Sequence, residues 1–249
     1  MKELSLIIPC RDERDRLPGT LEVLSGWMDG WGDGVEVVVV VERSWDGTED
    51  IVREVAKRDG RFRGIYNAVA RGKGYAVKTG MLAGEGRWRF FMDVDLSVPL
   101  RFVGDFLRQL EDGADVVFGS RRHCGSRILR SQSLGRVLAG RFFNWCLRLA
   151  GATRYLDTQC GFKAFAGEAA DWIFRRQTAV GFGFDVEVLA LAEVGGFRVV
   201  ESAVDWCDGP GSKVRALRDG LGAFWEAVRC SWRARIVYGV FDRRRGTLG

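Results

Sequence analysis

Six valines in seven positions, interrupted only by Glu36, predict a buried β-strand over residues 35–41. Further strand and helix patterns alternate along the first half of the chain, which favours a mostly parallel sheet with helices on both faces. The other predicted strands of this half cover residues 4–8, 62–66, 88–92 and 115–118, and its predicted helices cover residues 20–28, 48–58, 75–83 and 100–110. The order of the patterns therefore predicts the α/β fold class.

The second half departs from this alternation, but it contains no linker, repeat or low-complexity segment that would mark a second domain. We predict one domain over residues 1–232 and a basic C-terminal tail over residues 233–249. A helix predicted over residues 133–150 carries arginines beside bulky apolar residues, which suits a membrane interface or packing on the sheet equally well. The tail is either another interfacial segment or simply basic. The other predicted elements are strands at 162–165 and 198–206 and helices at 185–193 and 214–232.

Composition narrows the possible classes of protein. No apolar run approaches the roughly 20 residues that span a bilayer, and the N-terminus is too acidic for a secretory signal. The six cysteines show no Cys-x-x-Cys spacing, so we expect reduced thiols in a cytoplasmic protein. His123 is the only histidine, which disfavours metal sites built from several histidines and mechanisms that pair a nucleophile with histidine.

Positive charge is concentrated in two stretches, although the formal net charge is only +5. Residues 119–155 contain eight arginines and no acidic residue, and residues 211–249 carry a net charge of +6, which leaves the rest acidic at −9. Such segregation indicates an anionic partner, which by charge alone is a nucleic acid, an acidic lipid or a phosphorylated substrate. The alternative is a solvated arginine-rich face without a partner.

Asp93 and Asp95 directly follow the buried strand predicted at 88–92. Residues i and i+2 of a strand point to the same side, so the two carboxylates lie together and repel each other unless a cation intervenes. The carboxyl ends of strands are also where open α/β sheets bind ligands. We therefore predict a Mg²⁺ or Mn²⁺ site that handles phosphate oxygens. The alternative is a solvated loop that happens to hold two aspartates.

Other turns between strands and helices carry polar groups that are weak signals when taken one at a time. Their order along the chain is Pro9 to Glu13, Glu42 to Thr48, Gly72-Lys73-Gly74 and Gly119-Ser120-Arg121. Glycines beside Lys73 allow a diphosphate to approach the backbone and meet a cation. The spacings of a P-loop and of a dinucleotide-binding fingerprint are both absent.

Taken together with Asp93-Val94-Asp95, this series of turns resembles the inverting family 2 glycosyltransferases with a GT-A fold. Three later segments are similar to the dolichyl-phosphate glucosyl- and mannosyltransferase branch of that family. They are residues 157–163 (Asp-Thr-Gln-Cys-Gly-Phe-Lys), residues 184–187 (Phe-Asp-Val-Glu), and Trp206 with residues 211–214 (Gly-Ser-Lys-Val). The resemblance spans about residues 4–220, and residues 157–163 are its most specific part.

The resemblance implies a metal-dependent enzyme that moves a hexose from UDP-glucose or GDP-mannose to a polyprenyl or dolichyl phosphate. It implies a nucleotide-sugar half over residues 1–118, an acceptor half over residues 119–232 and extra C-terminal helices. The implied donor-nucleotide residues are Pro9, Arg11, Glu13, Glu42, Ser44, Lys73 and Asp93. The implied catalytic residues are Asp93, Asp95, Asp157, Gln159 and Asp185, with Asp93 and Asp95 holding Mg²⁺ or Mn²⁺. The implied acceptor-phosphate residues are Arg121, Arg122, Arg127, Arg130 and Ser131.

The implied partners are a nucleotide sugar, a polyprenyl phosphate and an anionic membrane surface, and they do not include nucleic acid. Because no spanning segment is predicted, membrane contact would be peripheral. Three alternatives stay open: a family 2 enzyme with a different acceptor, a non-catalytic binder of nucleotide sugars, and a phosphatase of the haloacid dehalogenase type. Asp93-Val94-Asp95-Leu96-Ser97 nearly meets the phosphatase signature, but in that family the motif usually follows the first strand. Ser97 stands where some family 2 members have a glutamine that binds the metal.

Overall fold

The structure is a computed structural model that describes residues 2–130, 133–209 and 216–245. Within these ranges the chain forms nine strands, eight α-helices and one short 3-10 helix (Gly32–Gly34). The strands are β1 (Leu4–Cys10), β2 (Val35–Glu42), β3 (Phe62–Asn67), β4 (Trp88–Met92), β5 (Val116–Ser120), β6 (Arg127–Arg130), β7 (Phe162–Ala166), β8 (Val199–Ala203) and β9 (Asp205–Cys207). The helices are α1 (Leu17–Met28), α2 (Thr48–Arg58), α3 (Lys73–Ala83), α4 (Phe102–Glu111), α5 (Leu134–Leu149), α6 (Gly167–Arg176), α7 (Phe184–Val194) and α8 (Ala216–Arg245).

Seven of the described strands form one sheet in the order β3-β2-β1-β4-β7-β5-β8. The pairs are parallel except for those of β7, which lies antiparallel between β4 and β5. β6 and β9 pair separately as a two-stranded parallel ribbon. The predicted α/β class with a mostly parallel central sheet is confirmed.

Alternate residues of the central strands enter two different hydrophobic layers. Val37 and Val39 of β2 pack on the side of α1 and α4, and Val38 and Val40 pack on the side of α3, α6 and α7. Both sets are fully buried, which explains why the strand is valine at nearly every position. On the first side, the ring of Phe162 lies 4.9 Å from that of Phe106 and 5.9 Å from that of Phe90, in edge-to-face contacts.

A third, smaller cluster joins α5, α7 and α8 through Leu147, Val186 and Val228. Helix α8 continues to Arg245, so the domain boundary predicted at residue 232 lies inside a helix. The sequence patterns missed α6 and β6 and predicted one strand where β8 and β9 are separate. No helix in the described ranges has the length and apolar content to cross a bilayer.

The strand directions bring the ends of several elements to one edge of the sheet. The carboxyl ends of β1, β4 and β5 meet there because these strands run the same way. β7 runs in the opposite direction, so its start at Phe162 lies at that edge, next to Met92 at the end of β4. The segment 157–161, which precedes β7, is thereby brought beside the Asp93-Asp95 turn.

Candidate active site

The carboxylates of Asp93 and Asp95 lie against the backbone of two glycines. The backbone N–H of Asp93 donates to the carbonyl oxygen of Gly161 at 3.1 Å, and a Cβ atom on Gly161 would overlap the Asp93 carboxylate. A Cβ atom on Gly209 would lie 2.6 Å from an Asp95 carboxylate oxygen, far inside van der Waals contact. Only glycine therefore allows the two segments to approach the acidic turn this closely.

Two kinds of donor balance the charge of the acidic turn. Lys73 Nζ lies 2.6 Å from Asp93 Oδ1, and the hydroxyl and N–H of Ser97 donate to Asp95 Oδ1 at 2.7 and 3.0 Å. Burial and the neighbouring charge of Asp93 still raise the pKa of Asp95. For Lys73, burial would lower the pKa, but Asp93 and Asp185 outweigh it and the pKa is raised. Both raised pKa values, that of Asp95 and that of Lys73, indicate that the acidic turn favours an added positive charge.

The donor set of the acidic turn fits a divalent ion that is only partly coordinated by protein. Among the residues that the structure describes, no three His, Cys, Asp or Glu side chains converge as a metal-binding group. Asp93 and Asp95 offer hard carboxylate oxygens, which Mg²⁺ and Mn²⁺ prefer, and leave the remaining positions to other oxygens. The Ser97 hydroxyl donates to Asp95, so in this structure Ser97 orients the Asp95 carboxylate.

Two clefts open on either side of the acidic turn, and Lys73, Asp93, Asp95 and Phe182 line both of them. The first cleft lies over the ends of β1 and β2. Its lining includes Pro9, Arg11, Glu13, Arg16, Glu42 and Gly72. The second cleft lies between the acidic turn and helices α5 and α8. Its lining includes Arg121, Arg136, Phe143, Gln159, Asp185, Trp206 and Asp208.

The acidic residues of the first cleft are held by partners within the protein. Glu42 accepts hydrogen bonds from the backbone N–H groups of Arg71 and Gly72, both at 2.9 Å. Glu13 is bound by Arg16 through two contacts of 2.7 Å. Ser44 does not line either cleft. Its hydroxyl donates to the carbonyl of Glu42 and accepts the N–H of Asp12, so it links the turns after β1 and β2. These contacts fix the shape of the first cleft.

Arg121 is fixed in the second cleft by Asp157. Its guanidinium contacts both carboxylate oxygens of Asp157 at 2.7 and 2.8 Å, and its backbone N–H adds a third bond at 2.9 Å. Burial alone would raise the pKa of Asp157, but the charge and hydrogen bonds of Arg121 lower it to about 2. Asp157 is buried behind Arg121 and does not line the cleft, so in this structure it positions the arginine.

Asp185 lines the second cleft from the first turn of α7. Its carboxylate forms an ion pair with the fully buried Lys163, whose ammonium also donates to the carbonyl of Cys160 at 2.7 Å. Burial raises the pKa of Asp185 despite the opposing attraction of Lys163 and Lys73. The carboxylate is thus held in place and turned toward the acidic turn.

The structure separates the predicted arginines into two groups. Arg121 lines the second cleft, whereas Arg122 donates to the carbonyl of Leu156 at 3.0 Å and is not part of the lining. Arg127 and Arg130 lie on the exposed strand β6, also outside the lining. Ser131 falls outside the described residues.

Sequence reasoning missed several residues that line the clefts, among them Arg16, Arg136 and Phe182. Arg16 pairs with Glu13 and lies within electrostatic reach of Asp93 and Asp95, and no motif marks it. Arg136 belongs to the acid-free stretch, but it lies inside a helix, so the turns between strands and helices did not point to it. Phe182 lines both clefts, and the flanking Gly181 and Gly183, just before a helix, were the signal that could have identified it.

Comparison with known proteins identifies the family. The model of glycosyl transferase family 2 matches residues 5–177, which is more than half of the chain. The chain belongs to glycosyl transferase family 2. The matched region contains the ends of β1 and β2 and the turns that form the first cleft. It also contains the acidic turn, Arg121 and the segment 157–163. The predicted family and the prediction of a glycosyltransferase are confirmed.

Curated relatives match most of this family 2 chain at moderate identity. A dolichyl-phosphate beta-glucosyltransferase of Drosophila melanogaster is 32% identical over 229 residues, which cover 85% of this chain and 69% of that protein. The glycosyltransferase AglD of Haloferax volcanii is 28% identical over 237 residues, which cover 94% of this chain. The chain spans only 38% of the length of AglD.

Solved structures support the fold. Glucosyl-3-phosphoglycerate synthase from Mycobacterium tuberculosis, in complex with Mn²⁺, UDP-glucose and phosphoglyceric acid, matches with a TM-score of 0.67. The match covers 93% of this chain and 80% of that chain at 19% identity. The predicted GT-A fold is confirmed. The phosphatase alternative is wrong, because the acidic turn follows the fourth strand of a family 2 chain.

The pKa of Asp157 predicts a specific dependence of stability on pH. Because the folded-state pKa of about 2 lies below the unfolded value, the carboxylate contributes stability above about pH 4, and this is lost as pH falls toward 2. Asp157→Asn should lower the free energy of unfolding near pH 7 by about 2–3 kcal/mol, since the partly buried Arg121 loses its charged partner. Urea denaturation measures both proteins.

The difference in the free energy of unfolding between wild type and Asp157→Asn should decrease by on the order of 1 kcal/mol as the pH is lowered from 5 to 3. Other carboxylates titrate in both proteins and cancel in this comparison. A difference that stays constant over that range would contradict the assignment of the low pKa to Asp157.

Proposed function

We propose that this chain is an inverting, metal-dependent glycosyltransferase that moves glucose from UDP-glucose to a polyprenyl phosphate. One observation carries the proposal: two clefts, one polar over the first strands and one containing fixed arginine, meet at the Asp93-Asp95 turn. A nucleotide sugar in the first cleft and a phosphate in the second would bring the donor sugar and the acceptor oxygen together at the shared residues.

In the proposed site, Asp93 and Asp95 hold a divalent ion and Lys73 lies beside them. A bound Mg²⁺ or Mn²⁺ would neutralise charge on the leaving diphosphate. Lys73, now 2.6 Å from Asp93, is within reach of the same phosphates at the start of α3, where the helix N-terminus also favours anions. The solved neighbour with Mn²⁺ and UDP-glucose supports this assignment at the level of the fold.

UDP-glucose is favoured over GDP-mannose as the donor because the Drosophila relative is named a glucosyltransferase and the solved neighbour contains UDP-glucose. Within this chain, the proposed nucleotide site is the first cleft, with Pro9, Arg11 and Glu42 at its wall. Glu13 lines the same cleft in an ion pair with Arg16, and Ser44 supports the wall from outside the lining through the Glu42 carbonyl.

The proposed reaction is a single displacement at the anomeric carbon. An oxygen of the acceptor phosphate forms the new bond while the bond to the diphosphate breaks, and the bonding electron pair leaves with UDP. One displacement inverts the configuration, which agrees with the beta linkage in the relatives' names. A phosphate monoester is already ionised near pH 7, so no base has to remove a proton. Gln159 and the fixed carboxylate of Asp185 line the position of the sugar.

The acceptor phosphate is proposed to bind between Arg121 and Arg136. Arg121 is held rigidly by Asp157, so little side-chain entropy is lost when it binds an anion. Arg136 comes from α5, the helix that forms the outer wall of the second cleft. The exposed Arg127 and Arg130 and the half-buried Arg122 lie outside the lining of the cleft, where they would meet other anions of a lipid surface.

Helices α5 and α8, which contribute to the lining of the second cleft, also carry exposed apolar stripes that support membrane contact. The stripes follow helical spacing and consist of Leu134, Leu138, Phe142, Trp145 and Leu149 on α5, with Leu221, Trp225, Trp232 and Ile236 on α8. Each of these side chains is more than half exposed. The helices contact each other through Phe143 and Phe224, whose ring centroids lie 6.3 Å apart.

We propose that these stripes rest on an anionic bilayer that holds the polyprenyl acceptor. Exposed arginines lie on the same helices, among them Arg141 and Arg148 on α5 and Arg229 and Arg233 on α8. Apolar side chains beside cations are typical of helices that lie in a membrane interface. Attachment would be peripheral.

Transfer assays with purified protein test the proposed function. With Mn²⁺ or Mg²⁺, UDP-glucose and a short polyprenyl phosphate, the protein should form a lipid-linked glucose, and GDP-mannose should be a poor donor. Asp95→Asn should reduce transfer by at least about 100-fold, because it removes charge at the diphosphate, whereas Asp105→Asn on the outer face of α4 should not. Transfer only to a soluble phosphate such as phosphoglyceric acid would replace the acceptor, and donor binding without turnover would favour a non-catalytic binder.

Arg136→Ala and Arg130→Ala form a matched pair for the acceptor site. Arg136→Ala should raise the apparent KM for polyprenyl phosphate by about tenfold, the usual loss for one charge-assisted bond, and leave the KM for UDP-glucose nearly unchanged. Arg130→Ala should have the smaller effect because Arg130 lies outside the cleft. A larger increase in the KM for polyprenyl phosphate in Arg130→Ala than in Arg136→Ala would place the phosphate site at β6. If a variant raises the KM for both substrates equally, its arginine is not a specific acceptor contact.

Vesicle flotation tests the membrane surface. Wild-type protein should float with vesicles rich in anionic lipid and less with neutral ones. A double variant, Phe142→Glu with Trp225→Glu, should lower the partition coefficient at least about tenfold, since each large apolar side chain contributes about 1.5–3 kcal/mol on burial. Val23→Glu, at an apolar position on α1 that is also more than half exposed, serves as control. Equal flotation of wild type and the double variant would exclude the stripes as the membrane contact.

A further inference from the structure

The loop that joins α6 to α7 is held by two carboxylates from different helices. Glu187 of α7 accepts the backbone N–H groups of Thr178 and Ala179 at 2.9 and 2.6 Å. Glu226 of α8 accepts those of Val180, Gly181 and Gly183 at 3.0, 2.9 and 2.9 Å. Five backbone donors within six residues are thus bound to charged acceptors, so the loop conformation is strongly specified.

The same loop packs tightly on the turn that carries Lys73. The N–H of Tyr75 donates to the carbonyl of Val180 at 3.1 Å, and a Cβ atom on Gly72 would lie 2.5 Å from that oxygen. Cβ atoms on Gly181 and Gly183 would lie 2.7 Å from Glu226 Oε2 and 2.6 Å from the N–H nitrogen of Ala227, respectively. Side chains are excluded on both sides of Phe182, so this ring is the part of the loop that faces the clefts.

Phe182 is half-buried and lines both clefts together with Lys73, Asp93 and Asp95. It is the apolar member of a set that otherwise consists of charged side chains. A diphosphate or an acceptor phosphate gains nothing from a phenyl ring, whereas a pyranose has a face of C–H groups that packs well against one. The position where donor and acceptor meet is also where water would compete with the acceptor.

We propose that Phe182 forms the wall of the hexose subsite, where it packs on the apolar face of the transferred sugar and shields the anomeric carbon from water. The inference rests on the proposed function. With the acceptor phosphate, the new bond joins its oxygen to the anomeric carbon and UDP leaves with the electron pair. With water, the same bond to UDP breaks, the water oxygen becomes the sugar hydroxyl, and its second proton passes to the solvent. Phe182 favours the first outcome by occupying the space of the water.

Glu226 acts through Phe182 as a positioning residue. It touches the backbone on both sides of the ring, at Gly181 and Gly183, and is carried by α8. Glu226→Gln keeps the shape, but one of the two accepting oxygens becomes an NH2 group that cannot accept, and the remaining neutral oxygen is a poorer acceptor than a carboxylate. Its effect should therefore appear in the ratio of hydrolysis to transfer, which a general loss of stability would leave unchanged.

The test measures free glucose and lipid-linked glucose from UDP-glucose, with metal and a short polyprenyl phosphate. Phe182→Ala should raise the ratio of hydrolysis to transfer by about tenfold or more, a typical effect of one missing apolar contact at a reacting centre, while UDP affinity measured by calorimetry stays near that of wild type. Phe182→Tyr should restore the wild-type ratio, and Phe182→Leu replaces the alanine variant if that variant does not fold. Val180→Ala is the matched control, since Val180 lies in the same loop and outside the lining of both clefts.

In the double variant Phe182→Ala with Glu226→Gln, the ratio should equal that of Phe182→Ala alone, because Glu226 has nothing left to position. Wild-type transfer combined with an unchanged ratio in Phe182→Ala would overturn the inference and leave the proposed function standing. Absence of both transfer and hydrolysis in wild type would overturn the proposed function, and the inference with it.

Discussion

The repulsion between two carboxylates at the end of β4 is the constraint on which the site depends. Asp93 and Asp95 are held close by the strand that precedes them, and each neighbouring element contributes to making that tolerable. Helix α3 provides the ammonium of Lys73, Ser97 provides two donors, and Gly161 and Gly209 allow backbone to close around the acids. These donors do not fully balance the two carboxylates, so the acidic turn favours a bound cation. That cation could in turn bind an anion on the side away from the carboxylates.

Most other acidic groups near the clefts act on the backbone of the protein itself. Glu42 fixes the turn before α3, Glu201 accepts the N–H groups of Leu156 and Asp157, and Glu187 and Glu226 fix the loop before α7. Loops beside a ligand site carry many unpaired backbone donors, and carboxylates satisfy several at once. Charged hydrogen bonds therefore fix the loops around the clefts, above the hydrophobic layers that hold the strands and helices.

Local patterns predicted the fold well wherever an element is long and regular. The bounds of α2 and β4 agree with the patterns, because apolar periodicity reports burial directly. The direction of β7 could not be predicted, since its short pattern of four apolar residues around Lys163 reads the same in a parallel and an antiparallel strand, and β6 was missed because its side chains are exposed. The acidic turn was visible in sequence, but the pairing of Arg121 with Asp157 and of Phe182's loop with Glu226 joins residues 36 or more positions apart. Such pairs are set by tertiary structure.

The antiparallel strand β7 also decides how the chain can be divided. It belongs to the predicted acceptor half, yet it lies between β4, which belongs to the predicted nucleotide-sugar half, and β5, which crosses the predicted boundary at residue 118. A fragment ending at residue 118 would leave β4 and β5 with unpaired inner edges on either side of a gap one strand wide, open to association with other chains. The predicted division into two halves therefore does not correspond to two separate structural units, because one sheet contains strands from both.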